Sequence, residues 1–150
     1  MNYLHAILEE LDVGTILKPR DDYKDHWGDT DFYLFLEKYR PLNMKPHHES
    51  VFMCTSIDDL DNCMEGIYLF EVKPLGLIQR HDMNWSTEIS CLVGDGADET
   101  KIKQAAQSYW NGIPHSNREP LWEYLTSSAE ILKVYPYDEY EDKPVKKLKM

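Results

Sequence analysis

Leu121-Trp122-Glu123-Tyr124-Leu125-Thr126-Ser127-Ser128-Ala129-Glu130-Ile131-Leu132-Lys133-Val134 contains two short runs rich in aliphatic and aromatic residues, parted by the small polar group Thr126-Ser127-Ser128-Ala129. This pattern predicts a β-hairpin or a pair of consecutive strands. Side chains alternate faces along a strand, so Leu121, Glu123 and Leu125 share one side and Trp122 and Tyr124 the other. Glu123 therefore has apolar neighbours on its own face. A carboxylate in that company either lies at a sheet edge in water or is held toward a cleft.

Before this stretch, Asn111 to Pro120 reads as a polar loop. A helical pattern precedes it from Ala97, with Ile102, Ala105, Ala106, Tyr109 and Trp110 on one face and Gly112 as the stop. Trp85 to Val93 is predicted as a strand ended by Gly94-Asp95-Gly96. The clearest strand is Gly66-Ile67-Tyr68-Leu69-Phe70-Glu71-Val72, turned by Pro74-Leu75-Gly76. Ser50 to Thr55 has the length of a buried strand, and Ser56-Ile57-Asp58-Asp59-Leu60 reads as a capped helix start. Phe32, Phe35, Leu36 and Tyr39 fall at helical spacing behind a cap at Asp29 or Thr30. Arg20 to Gly28 is charged and reads as a loop, and Val13 to Leu17 is closed by Pro19. Tyr3 to Leu8 is a first strand or the start of a helix.

Several short strands with two or three helices among them, and no regular βαβ spacing, predict an α+β fold in a single compact domain. That domain is taken as residues 1–136. Residues 137–150, acidic and then lysine-rich, form a charged C-terminal tail.

The chain has 150 residues, 42% hydrophobic and 12% aromatic, enough to bury a core. No run approaches the roughly 18 apolar residues that span a bilayer, and the first residues lack the features of a signal peptide. A cytoplasmic location without membrane association is expected. The net charge of −11 repels nucleic-acid phosphates, so general nucleic-acid binding is not expected; a basic protein partner or plain solubility suits it better. Cys54, Cys63 and Cys91 are odd in number and not closely spaced, which supports neither a disulfide framework nor a zinc knuckle. His47-His48 with a thiol is a weak metal candidate, because neighbouring residues on a strand face opposite ways; no metal is expected.

Three stretches follow one another: Tyr3-Leu4-His5-Ala6 with Gly14-Thr15-Ile16-Leu17, then Val51-Phe52-Met53-Cys54-Thr55-Ser56, then Leu121-Trp122-Glu123-Tyr124-Leu125. This order resembles the ADP-ribosyltransferase superfamily, with its early strand bearing Arg or His, its middle strand of Ser-Thr-Ser type and its late strand bearing Glu. The resemblance spans Tyr3 to Val134 through short motifs. It implies a split β-sheet core, mixed or antiparallel, flanked by two or three helices. It also implies NAD as substrate and transfer of ADP-ribose to an unidentified protein or small-molecule acceptor. Glu123 matches the catalytic glutamate that holds the nicotinamide ribose, and His5 the early anchor for NAD. Cys54-Thr55-Ser56 matches Ser-Thr-Ser with a thiol, a weak hydrogen-bond partner, in first place. Nicotinamide needs aromatic rings against it, for which Tyr68, Trp85, Tyr109 and Trp110 are available. The implied cofactor-binding set is His5, Cys54, Thr55, Ser56 and Tyr68. Leu121 stands where many members have Glu or Gln, the residue that activates the acceptor in protein-modifying members.

The chemistry asks for such a carboxylate. Loss of nicotinamide spreads positive charge over C1′ and the ring oxygen of the ribose. A carboxylate bonded to the 2′-OH stabilises that state more than it stabilises NAD. Each residue also has a plain alternative: Glu123 as an exposed strand residue, His5 as a surface or core histidine, Cys54 as a small hydrophobe, Trp110 as core. Asp82 is a second possible acid or a turn residue. As a whole, the alternative is a catalytically inactive acidic interaction or inhibitor protein on the same fold, of the phage or bacterial effector type, which is analogy of fold and size. RNA 2′-phosphate transfer is a weaker option, since basic residues are not clustered near the motifs.

Overall fold

Seven strands in two antiparallel sheets and four helices form the bulk of the computed structural model, which describes residues 2–59 and 68–135 and, by backbone alone, 137–138 and 143–144. The first sheet holds β1 (Tyr3–Ile7), β2 (Ile16–Leu17), β4 (Tyr68–Pro74) and β7 (Ala129–Val134) in the order β1-β4-β7-β2. The second holds β3 (Val51–Met53), β5 (Gln79–Asp82) and β6 (Trp122–Thr126) in the order β3-β6-β5. A backbone bridge between Leu4 and Cys54 links β1 to the end of β3. The fold is α+β, as the sequence predicts, and every pairing in these two sheets is antiparallel. In the proposed tail, β8 (Tyr137–Asp138) and β9 (Lys143–Pro144) pair with each other. Cys63, Gly66 and Ile67 lie outside the described residues, as does the remainder of the tail.

Strand alternation decides which side chains meet. Val51 and Met53 on β3 and Tyr124 on β6 join Leu17, Phe70, Val72, Ala129 and Ile131 in one apolar cluster between the sheets, with Trp122 packed against it. The register sets Phe52 beside Leu125, Gln79 beside Leu125 and His81 beside Glu123 on the other face. Glu123 is thus placed on the helical side of the three-stranded sheet.

β6 and β7 do not form a hairpin: they enter different sheets, and residues 126–128 make the corner. The loop after β4 pins that corner. Leu75 N–H donates to the Ser128 carbonyl (2.9 Å) and Gly76 N–H to Thr126 Oγ1 (3.2 Å). Gly76 approaches Ser127 so closely that a Cβ there would overlap the serine hydroxyl.

Four helices are described where two or three are expected: α1 (Tyr23–Trp27), α2 (Asp31–Lys38), α3 (Asn84–Gly94) and α4 (Glu99–Trp110). Arg20 to Gly28, read as a loop, contains α1, whose Tyr23 is buried. The stretch Trp85 to Val93, predicted as a strand, is the body of α3. Its β-branched residues Thr87, Ile89 and Val93 favour a strand locally. Burial of Ile89 with Trp85, Leu92 and Val93 alongside, against Leu36 and the α4 face, favours the helix, and packing outweighs propensity. On α4, Ile102, Ala105, Ala106, Tyr109 and Trp110 are all buried. Trp110 contributes on the order of 5 kcal/mol of apolar transfer before the entropy of ordering, and its indole N–H donates to the Leu36 carbonyl at 2.8 Å.

Candidate functional site

Glu123 sits in the middle strand of its sheet and is 7% exposed. Burying a carboxylate is costly unless donors meet it, and α4 supplies one. The helix starts after the cap Asp98, which accepts from Lys101 N–H, and ends at Trp110, with Gly112 just beyond the cap Asn111 in the left-handed region (φ 68°). That span brings Tyr109, two turns beyond Ile102 on the buried face, over the sheet. Its hydroxyl donates to Glu123 Oε1 at 2.6 Å. A hydrogen bond to a charged group is worth about 1.5–3 kcal/mol.

Two histidines complete the cluster. His47 lies in a short 3-10 turn (His47–Glu49) after Pro46, closed by Ser50 Oγ donating to the Pro46 carbonyl at 2.8 Å. Its Nε2 is 2.5 Å from the Tyr109 oxygen and 4.0 Å from Glu123 Oε1. Its ring stacks on Trp110 and lies near Tyr23, Tyr33 and Phe52. His81, cross-strand neighbour of Glu123, stacks on the Tyr109 ring with centroids 4.4 Å apart. Its Nδ1–H donates to the Tyr109 carbonyl at 2.8 Å, so its Nε2 accepts from Gln79 Nε2 at 3.1 Å. Gln79 in turn is tied to the backbone of Lys45, accepting from its N–H at 2.5 Å.

Burial pushes the Glu123 carboxyl up to about 7; the Tyr109 hydrogen bond opposes the rise and the charge of Asp82 adds to it. Burial lowers His47 to about 3, helped by His81, His48 and Arg40, and lowers His81 to about 4 against the bond to Tyr109. Both histidines are neutral at pH 7, so His47 and Glu123 form no ion pair despite their 4.0 Å separation. Burial raises the Tyr109 and Tyr23 hydroxyls too, and the charge of Glu123 pushes both in the same direction. A carboxylic acid that ionises near neutrality among neutral donors is a common mark of acid–base or electrostatic chemistry.

The other residues singled out from the sequence lie elsewhere. His5 Nδ1 donates to the Phe52 carbonyl at 2.6 Å, and burial lowers its pKa. The Phe52 ring stacks on Tyr23 (centroids 5.7 Å, planes 9° apart), so His5 braces the strand beside the Glu123 cluster through the Phe52 carbonyl. Cys54 is fully buried with Leu4, Ala6, Leu69 and Tyr135, and its thiol donates to the Ser56 carbonyl at 3.3 Å. Thr55 and Ser56 are half-buried between β3 and the turn Ile57–Asp59. Tyr68 begins β4 opposite Ile7 and packs against the core between the sheets. The early and middle motifs are therefore brought together through Leu4, His5, Phe52 and Cys54, while Glu123 lies in a neighbouring cluster whose shared wall is Phe52.

Asp82 is a structural anchor. Fully buried, its Oδ1 accepts from the backbone and side chain of Asn84 (3.0 and 2.9 Å) and from Leu121 N–H (3.1 Å), its Oδ2 from His115 N–H (2.8 Å). These bonds clamp the loop feeding β6 onto the end of β5. Of the aromatic candidates, Tyr109 and Trp110 belong to the Glu123 cluster; Trp85 lies outside it and donates to the Ile113 carbonyl at 2.7 Å.

A cavity of about 490 Å³ lies beside α1 and the His47 turn, lined by Arg20, Lys24, Lys45, His48, Asp21, Glu49 and Pro19. Among the described residues no three His, Cys, Asp or Glu side chains are grouped to hold a metal ion, and no helix is long and apolar enough to cross a membrane. His47 and His81 were not assigned to the site by sequence; the only local signals are the alternation Gln79-x-His81 on a strand and a histidine directly after Pro46. The chain matches no family model and no curated protein sequence.

Proposed function

We propose that the protein is an ADP-ribosyltransferase-like enzyme that binds NAD, uses Glu123 to stabilise the cationic ribose as nicotinamide leaves, and passes ADP-ribose to a macromolecular or small-molecule acceptor. The observation that carries this reading is the setting of Glu123: a carboxylate on the middle strand, turned inward, oriented by the Tyr109 hydroxyl at 2.6 Å and ringed by Tyr109, His47 and His81. Approach of the positively charged nicotinamide ring draws the proton off such a group, because an opposite charge nearby favours the ionised form. The carboxylate then acts where charge develops, shielded from water once the site closes over the substrate.

Further support comes from the cavity beside α1, within the usual range for a small-molecule site and bearing Lys24 and Lys45 for an anionic substrate beside the carboxylates of Asp21 and Glu49. Its neighbour Tyr23 is carried on a helix of five residues and packs over Phe52 and His47. In this mechanism α1 moves aside for NAD to reach Glu123. His5 serves by holding β3 through the Phe52 carbonyl.

Incubation with NAD labelled in the nicotinamide ring tests this proposal. Release of labelled nicotinamide, lost in Glu123→Gln while the fold is kept, is the expected result. No release and no NAD binding by calorimetry in a folded sample would refute it. The second reading, an acidic interaction protein without catalysis, is favoured by the enclosure of Glu123 and the net charge of −11. It predicts no NAD binding and a salt-sensitive complex with a basic partner.

A further inference from the structure

We propose that His47 is a positioning residue for Glu123: by donating from Nε2 to the Tyr109 oxygen, it turns the single hydroxyl hydrogen of Tyr109 toward the carboxylate and so favours its ionised form. The inference deepens the proposed role of Glu123 and rests on that reading only for its meaning in catalysis.

The Tyr109 oxygen lies 2.6 Å from Glu123 Oε1 and 2.5 Å from His47 Nε2. With one hydrogen to give, the hydroxyl can serve only one of them. If it serves Glu123, His47 must hold its proton on Nε2 and Nδ1 is a bare lone pair. If it serves His47, the histidine proton sits on Nδ1, and Glu123 must be protonated to keep its short contact with the Tyr109 oxygen. The tautomer of His47 and the charge of Glu123 are thereby coupled.

The surroundings of His47 decide between the two. Its Nδ1 is buried and has no hydrogen-bond partner among the described residues. The rings around it are Tyr23, Tyr33, Phe52 and Trp110. A proton on Nδ1 would be a buried donor with nothing to receive it, and orphaned N–H groups are rarer in proteins than under-used acceptors. The Nε2–H form is therefore preferred, and with it the ionised carboxylate. The other groups around the triad are Tyr23 on α1, Glu37 on α2, Arg40 after it, His48 beside His47, and His81 and Asp82 on β5. None of them is hydrogen-bonded to the Tyr109 hydroxyl in place of His47.

Nitrogen-15 NMR of the histidine rings in the wild-type chain tests the proposal without NAD or mutation. Protonated Nε2 and bare Nδ1 on His47 at pH 8 are expected; protonated Nδ1 would overturn it. A second arm follows the Glu123 side-chain carbon signal with pH in wild type, His47→Phe and His47→Gln. His47→Phe leaves the Tyr109 hydrogen with Glu123, so the carboxylate fraction at pH 6 is expected not to rise, whereas a His47 that had been taking that hydrogen would on removal release it to Glu123 and raise the fraction about fivefold; His47→Gln, which keeps an N–H near Nε2, is expected to match wild type. A rise of that size in a folded His47→Phe chain would equally overturn the proposal. Both arms stand whether or not nicotinamide is released, so failure here and failure of the NAD reading are separable.

Discussion

Replacing Glu123 by glutamine should stabilise the protein at alkaline pH and leave it nearly unchanged in acid. The fold keeps the Glu123 proton from an ordinary 4.5 up to about 7, a gap that corresponds to about 3 kcal/mol. The sign follows from proton counts. Between those two values the folded chain binds the proton and the unfolded chain does not, so the wild type loses stability as pH rises through the window and stays lower above it. Glutamine keeps an oxygen for the Tyr109 hydroxyl (2.6 Å in the wild type) and carries no charge to bury. The stability of Glu123→Gln relative to wild type should therefore grow by about 3 kcal/mol from pH 4.5 to pH 8, which in a chain of this size raises the melting temperature by about 6–12 °C. His47 and His81 also titrate on unfolding, but they are common to both chains and cancel in the difference. Urea unfolding of both chains at half-unit pH steps, with the slope checked for constancy, measures the difference directly. A flat difference, or a wild type that gains on the variant as pH rises, would show that the carboxylate is satisfied in place, and the account of a strained reactive group would fail.

Other outcomes follow from the same geometry. His47 and His81, lowered to about 3 and about 4, must gain protons when the chain unfolds below their ordinary 6.5, and His5, also lowered by burial, adds to them; their contribution to stability should be lost as pH falls from 6.5 toward 4, and urea unfolding of Glu123→Gln should show a slope of about two protons or more at pH 5. Asp82→Ala removes the acceptor of four donors and should cost about 2–5 kcal/mol by chemical denaturation. Trp110→Ala, at a position 1% exposed, should cost about 3–5 kcal/mol by the same assay. Tyr23→Ala should uncover Glu123 and bring its titration midpoint down from about 7 toward the usual carboxylate range, since burial is the main cause of the rise; an unchanged carbon-signal titration would show that Tyr23 does not cover it.

Much of the fold is written locally. The strand around Glu123 and the helix ending at Trp110 are legible because their apolar positions repeat with periods of two and 3.6. The alternation of Glu123 with Trp122 and Tyr124 holds because one face of β6 packs on the other sheet and the opposite face on α4. The separation of β6 and β7 into different sheets is not legible, because a polar turn between two strands looks the same in a hairpin and in a corner. Nor is α3, whose residues have strand propensity and whose helix depends on partners in α2 and α4. The site shows the same division. Glu123 is visible as an acid among apolar neighbours. His47 and His81 are not, since they meet Tyr109 across 62 and 28 positions of sequence and their character comes from burial. His5 and Cys54 carry polar atoms that suit a ligand on paper, yet the fold uses them on the Phe52 and Ser56 carbonyls.

The most direct test of Glu123 as the group that meets NAD is the proton released on binding, measured by calorimetry in two buffers of different ionisation enthalpy. At pH 7, where the free carboxyl is half-protonated at its value of about 7, a cationic nicotinamide beside it should expel about half a proton, and Glu123→Gln should expel none. Equal release from both chains, or no binding of NAD by either, would contradict the account.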